Sequence, residues 1–140
     1  MEYSFLQDKE YNEKYFRLQT YKPYPYQKKF HSLKSNNGKL AKGRCLMSGN
    51  QIGKTLCSGA ETAIHATGLY PDWWVGHRIT GAPNILCAGV NSYRTRDLIQ
   101  KELLGSENGT GWIPKHLIHE TLRKPGIPNA LEKIYVKRNN

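Results

Sequence analysis

The sequence has no long apolar run, and it is short of both acidic residues and cysteine. Its apolar stretches extend over only a few residues, whereas a membrane helix needs roughly 20. The first residues, Met1 to Asp8, have neither a basic start nor an apolar core, so we expect no secretion signal. We therefore expect neither a membrane protein nor a membrane partner.

Cysteine is scarce and widely spaced. Cys45, Cys57 and Cys87 are the three cysteines of the 140 residues, and each stands among apolar neighbours. An odd number at this spacing does not suit a disulfide framework or a zinc site. We expect buried, reduced thiols, as in a protein of a reducing cytoplasm.

Acidic residues are outnumbered by basic ones. The chain has 11 Asp and Glu against 21 Lys and Arg, which gives a formal charge of +10. Such an excess favours polyanionic partners, a class that comprises nucleic acids, nucleotides and acidic membrane surfaces. The alternative is a basic surface that only contacts solvent. The length suits a single domain.

Aromatic residues are dense in the first part of the chain. Tyr11, Tyr15 and Leu18 stand at i, i+4 and i+7, which predicts one face of a helix. Such a face packs on the domain or, with interleaved lysines, forms a stacking platform for single-stranded nucleic acid. We take residues 1–34 as an N-terminal helical segment.

A second helix is predicted to begin at Pro25, because proline is favoured in a first helical turn. Its apolar stripe would consist of Tyr26, Phe30 and Leu33. The polar run from Ser35 to Gly38 would end it as a loop.

Residues 35–140 show alternating strand and helix patterns. The apolar runs Cys45–Met47 and Asn84–Val90 predict two buried strands. Each precedes a predicted helix, the first running to Ala66 with Gly68 as its cap, the second covering Tyr93–Leu104. This order predicts an α/β fold with a parallel sheet and crossover helices.

The last part of the chain has weaker patterns. We predict a short helix over Pro114–Leu122 and a late strand over Lys133–Lys137. The sheet would be incomplete, since no helix follows that strand in the sequence.

The segment Gly49–Thr55 has the composition of a phosphate-binding loop. Glycines let the backbone wrap closely around a polyphosphate, and the following helix adds its positive end. Lys54 can reach the β- and γ-phosphates, and the Thr55 hydroxyl can bind Mg²⁺. The usual pattern has glycine where Ser48 stands. The alternative is an ordinary glycine-rich turn with one exposed lysine.

A nucleotide-hydrolysing enzyme of this type also needs a carboxylate at the end of a neighbouring strand. The predicted strand Asn84–Val90 leads to Asn91 and Ser92, and the late strand leads to Lys137. No catalytic residue is identifiable within the chain. We therefore expect binding without efficient turnover, and whether the chain is an enzyme is left open.

With these motifs in view, the sequence resembles the N-terminal ATPase part of tailed-phage terminase large subunits, which are DNA-packaging motors with an ATPase and a nuclease domain. The resemblance runs from about Tyr24 to the end of the chain. It rests on Tyr24–Gln27, on Leu46–Thr55, on Gly68–Gly76, and on Cys87–Val90 with the helix that follows.

This resemblance implies a P-loop NTPase-type core that binds ATP and Mg²⁺. Gln27 matches the family's adenine-reading glutamine, and the ring of Tyr26 or Tyr24 would stack on the base. Without the resemblance, a surface helix residue would be the favoured interpretation of Gln27. The implied phosphate-binding residues are Ser48, Gly49, Asn50, Gln51, Ile52, Gly53, Lys54 and Thr55, with Thr55 as the magnesium ligand.

Asn50 is a departure from the family pattern, because many terminases have arginine there. The arginine that stabilises transition-state charge would then come from elsewhere, such as a neighbouring subunit. The family's carboxylate strand and nuclease domain would lie beyond residue 140, so we expect a truncated chain.

The resemblance also implies double-stranded DNA, a portal protein and a small terminase subunit as partners, a homo-oligomeric ring in the intact protein, and the cytoplasm of the bacterial host as its location. Two other interpretations remain. One is part of a helicase-like nucleic-acid translocase. The other is a basic, non-enzymatic DNA-binding module.

Overall fold

A computed structural model describes residues 2–107 and 109–138, with side chains from residue 7 onward. The long helices are α1 (Glu2–Tyr15), α2 (Pro25–His31) and α3 (Lys54–Thr67). Within the described ranges, no helix has the length and apolar character to span a bilayer.

The second half of the chain has shorter elements. Helix α4 (Ser92–Arg94) continues through a π-helical segment (Thr95–Gln100) into α5 (Lys101–Leu104). A 3₁₀ turn (Lys115–Leu117) then leads into strand β1 (Ile118–Arg123), which pairs antiparallel with β2 (Leu131–Val136).

Helix α1 is confirmed as an element, but its predicted apolar face is not continuous. Residues 7–14 are exposed, and Tyr11 contacts Tyr15 with their ring centroids 4.8 Å apart. Leu18 is buried but lies beyond the end of the helix. The chain therefore enters the core after α1.

Helix α2 begins at Pro25 as predicted, but a different face is buried. Gln27 and His31 are the buried residues of this helix, whereas Tyr26 is exposed. The predicted apolar stripe is therefore wrong. Gln27 and His31 have hydrogen-bonding partners on α3 and its preceding loop, and these satisfy the two polar groups in the interior.

Helix α3 is the centre of the core. Gly68 follows it with a φ of 74°, so the predicted glycine cap is confirmed. Left-handed backbone of this kind favours glycine. The core cluster packs around the inward face of α3 and consists of Leu18, Tyr21, Ala60, Ala63, Ile64, Trp74, Leu103, Trp112 and Ile113.

The two predicted central strands are not paired in the structure. In the described residues the sheet has the order β1–β2 and contains no parallel strand pair. Met47 is 87% exposed and Leu86 is 92% exposed, because no neighbouring strand covers either segment. The parallel P-loop-type sheet stays a prediction, as does the division at residue 34.

Three smaller predictions have clear outcomes. The helix predicted over Pro114–Leu122 is wrong, since pairing with β2 holds residues 118–123 as a strand. The late strand is confirmed as β2. Cys57 is buried as predicted, but Cys45 is exposed, because the segment around it packs on no sheet.

Candidate functional site

The glycine-rich loop, residues 48–53, leads directly into the first turn of α3. Gln51 and Gly53 both have positive φ, 61° and 80° respectively, so the chain turns sharply before the helix. The Lys54 ammonium folds back and donates to the carbonyl oxygens of Ser48 at 2.8 Å and Gly49 at 2.5 Å. The lysine therefore lies inside the curve of its own loop.

Helix α2 docks on the far end of this loop through Gln27. The Gln27 Oε1 atom accepts from the Tyr24 backbone N–H at 2.9 Å, and its Nε2 atom donates to the Gly53 carbonyl at 3.1 Å. The Tyr26 hydroxyl donates to the Ile52 carbonyl. Two residues of α2 thus bind consecutive carbonyl groups at the point where α3 begins.

Two tyrosine rings border the loop on the solvent side. Tyr24 and Tyr26 lie nearly parallel, with an interplanar angle of 8° and centroids 6.0 Å apart. Tyr24 is 64% exposed and Tyr26 is 38% exposed. Flat, exposed aromatic surface of this kind can stack on a planar base.

A buried ion network lies behind the loop, on the other end of α2. The Glu61 carboxylate of α3 accepts from His31 Nδ1 at 2.8 Å, and its two oxygens face the Arg44 guanidinium. His65 Nε2 lies 3.4 Å from Glu61 Oε1. The His31 side chain is 1% exposed and that of Glu61 is 9% exposed. Since water hardly reaches either group, each is stabilised by its hydrogen bond to the other.

The pKa of Glu61 results from two opposing effects. Burial alone would raise the pKa of this carboxyl group, but hydrogen bonds from His31, His65 and Arg44 outweigh it and hold the pKa well below its usual range. The carboxylate therefore stays ionised at neutral pH, and it binds Arg44 and His31 rather than a ligand.

The structure brings together part of the predicted site. Gln27 and Tyr26 lie against the loop, and Lys54 lies within it. Gln27 has no exposed surface. Its amide is bound to the Gly53 carbonyl and is not accessible to a ligand in this conformation. Its role in reading adenine stays a prediction, as do the roles of Asn50, Gln51 and Thr55.

Sequence reasoning missed the His31–Arg44–Glu61 network. The three residues are far apart in the chain and each resembles an ordinary surface group. The available signal was positional: His31 follows Gln27 by four residues, so the two share a helix face. Where the packed face of a helix has polar residues, those residues are expected to have buried hydrogen-bonding partners on a neighbouring element.

The residues present fit a polyphosphate better than they fit a metal ion. The loop offers an ammonium group, and the first N–H groups of α3 have no hydrogen-bond acceptor in the part of the chain described. Within the same residues, no group of three or more His, Cys, Asp or Glu side chains could hold a metal. Mg²⁺ would have the Thr55 hydroxyl as its protein ligand and would arrive with the phosphates.

One comparison with known proteins identifies the family. The chain is 31% identical to the terminase large subunit of Salmonella phage P22 over an alignment of 113 residues, which covers 69% of this chain. The chain belongs to the phage terminase large subunits. It spans about a quarter, 23%, of that relative's length. No family model matches the chain, and no solved structure matches it.

Proposed function

We propose that this chain is the ATP-binding part of a phage DNA-packaging motor. The observation that carries the proposal is the docking of α2 on the glycine loop through Gln27 and Gly53, beside a lysine held within the loop. This arrangement places exposed rings next to a basic, amide-rich turn. A nucleoside triphosphate has the matching parts, a planar base and a polyanionic tail.

The phosphate side of the site would be formed by Lys54 and the start of α3. In the structure the ammonium group satisfies the Ser48 and Gly49 carbonyls, and it would exchange these for phosphate oxygens. The free N–H groups of the first helical turn point along the helix axis and attract negative charge. Thr55 is exposed in the same turn, and its hydroxyl would bind Mg²⁺.

The base side would be formed by α2. Tyr24 and Tyr26 supply the stacking surface, and Gln27 holds that surface at a defined distance from Gly53. A base that contacts the buried Gln27 amide directly would have to displace its hydrogen bond to Tyr24 N–H or to the Gly53 carbonyl. ATP supplies the chemical energy of its terminal phosphate bond, and these residues bind and orient it.

No acidic residue directly follows either of the segments Asn84–Val90 and Lys133–Lys137 in the sequence. Glu61 is the acidic group on α3, and it is bound to Arg44 and His31. We therefore assign binding to this chain. Coupling of hydrolysis to the packaging of double-stranded DNA, together with portal protein, small subunit and a ring of copies, would require further groups.

Calorimetry with ATP and Mg²⁺ tests the proposal. The wild-type chain should bind, and Lys54→Ala should bind at least about tenfold more weakly, because a charge-assisted contact to phosphate is worth about 1.5–3 kcal/mol. Lys42→Ala is the matched control, since it removes the same charge from an exposed position outside the loop. Affinity should be unchanged in the control.

The opposite result is equally clear. If Lys54→Ala and Lys42→Ala reduce affinity equally, ATP is attracted by net charge alone, and the basic DNA-binding module becomes the better interpretation. In a thermal melt, ATP at about 100 times its dissociation constant should add about 2.7 kcal/mol of stability. No change in melting temperature would reject the site.

A further inference from the structure

We propose that Glu61, Arg44 and His31 are positioning residues that set the base-binding helix α2 against the phosphate-binding start of α3. This inference rests on the proposed nucleotide site. It assigns a role to a buried ion network that the site does not otherwise use.

Helix α2 has two hydrogen bonds on one of its faces, besides the bond that Tyr26 makes to the loop. Gln27 and His31 lie four residues apart, on the same face of the helix. Gln27 donates to the Gly53 carbonyl, and His31 donates to Glu61 at 2.8 Å. Two bonds at different points along one face fix both the rotation and the tilt of α2. Tyr26 on α2 and Tyr24 just before it lie on the segment that these bonds orient, and Tyr26 also donates to the Ile52 carbonyl.

Arg44 precedes the glycine loop in the sequence and binds the end of α2. Its Nη1 atom donates to the carbonyl oxygens of Phe30 at 3.0 Å and His31 at 3.1 Å, at the end of α2. The same guanidinium group faces both oxygens of Glu61. A planar fork of donors suits this double role. Arg44 therefore joins the end of α2, the segment before the loop, and α3.

Helix α3 contains both the Glu61 carboxylate and the phosphate-binding turn. Glu61 and Lys54 belong to one continuous helix, so a shift of the carboxylate relative to α2 is also a shift of the phosphate-binding turn. His31 is also held by the Tyr21 hydroxyl, which lies 3.1 Å from Nε2. Since the Glu61 carboxylate can only accept, His31 Nδ1 carries a proton. The other ring nitrogen, Nε2, faces the Tyr21 hydroxyl and also the Cys57 thiol of α3, whose Sγ lies 3.7 Å away.

A positioning role predicts a selective effect on ligands. ATP must contact both the α2 rings and the loop, whereas sodium tripolyphosphate needs the loop alone. Glu61→Gln should lower the ratio of ATP affinity to tripolyphosphate affinity by about tenfold, equivalent to 1.4 kcal/mol. Tripolyphosphate affinity itself should change less than about twofold, because Lys54 and the α3 amides are untouched.

A second pair of variants keeps the test decisive if Glu61→Gln does not fold. His31→Ala removes the donor to Glu61, whereas His31→Asn retains an amide N–H near the position of Nδ1. The alanine variant should lose the ATP preference, and the asparagine variant should recover most of it.

Glu102→Gln is the matched control. Glu102 packs against α3 at Gly59, accepts from Trp112 Nε1 at 2.8 Å and pairs with Arg17 at 3.2 Å. The variant therefore also removes a partly buried carboxylate next to α3, but one whose partners belong neither to α2 nor to the loop. It should lower stability without changing the ligand ratio.

Three results would overturn the inference alone, and a fourth would overturn the proposed function as well. One is an unchanged affinity ratio in both Glu61→Gln and His31→Ala. Another is a loss of both ligands in equal proportion in variants that remain folded by circular dichroism. A wild-type chain that binds tripolyphosphate but has no preference for ATP contradicts the positioning role. A wild-type chain that binds neither ligand rejects the proposed function and the inference with it.

Discussion

At the scale of single residues, Gly53 combines a left-handed backbone conformation with a close contact to Gln27 of α2. Its φ of 80° lies in the left-handed region, and a Cβ atom there would stand 3.0 Å from Gln27 Nε2. Gly38 has a similar φ of 77° but has open space where its Cβ would be. The two glycines therefore separate the cost of backbone strain from the cost of displacing α2.

Gly53→Ala should destabilise the chain more than Gly38→Ala. The left-handed conformation costs roughly 1–2 kcal/mol for a residue with a Cβ, and this applies to both variants. Gly53→Ala should cost a further ~1 kcal/mol, because the new methyl group weakens the Gln27 hydrogen bond. Urea denaturation measures both. Equal losses in the two variants would mean that the contact between α2 and the loop contributes nothing to stability.

At the scale of elements, α1 and α3 are helices of equal length with opposite surroundings. Both have 14 residues. The described side chains of α1 are exposed from residue 7 to residue 14, whereas α3 buries Ala60, Ala63 and Ile64. Helices in proteins are stabilised mainly by packing rather than by propensity. The two helices should therefore open with very different free energies.

Hydrogen exchange should resolve this difference directly. We expect the amides of α1 to exchange with an opening free energy near zero, and those of the central turns of α3 to require several kcal/mol, because only α3 is held by the core. Mass spectrometry of peptides covering residues 7–15 and 57–67 gives the comparison. Similar protection in both peptides would show that α1 packs on the protein in solution.

At the scale of the whole molecule, charge is distributed very unevenly along the chain. No acidic residue occurs between Glu13 and Glu61. This acid-free segment includes α2, the glycine loop and the start of α3, and its exposed lysines are Lys14, Lys22, Lys28, Lys29, Lys34, Lys39 and Lys42. Such a segment attracts polyanions without regard to their sequence.

Duplex DNA should therefore bind without sequence preference and with a steep dependence on salt. If about five phosphates are neutralised, affinity should fall by roughly two to three orders of magnitude between about 50 and about 200 mM salt. Fluorescence anisotropy with a labelled duplex measures the slope. Lys54→Ala should make that slope shallower by no more than the contribution of about one phosphate contact, since one of many charges is removed. A flat salt dependence would contradict a phosphate-backbone interaction.

The parts predicted correctly from the sequence are those decided by local backbone chemistry. Pro25 begins α2 and Gly68 ends α3 because each residue has a backbone preference that its neighbours do not change. The glycine loop before α3 was recognisable for the same reason. Local preference failed at residues 118–123, where pairing with a strand later in the chain overrides it.

The sequence by itself therefore determined where α2 begins and where α3 ends, the basic character of the chain, and the lysine of the loop. Only the tertiary structure decided which face of α2 is buried and where Glu61 finds its partners. Gln27 and His31 are stable in the interior because Gly53 and Glu61 meet them there. The free energy of a buried polar group depends on such partners, and partners distant in the chain are not visible in any local pattern.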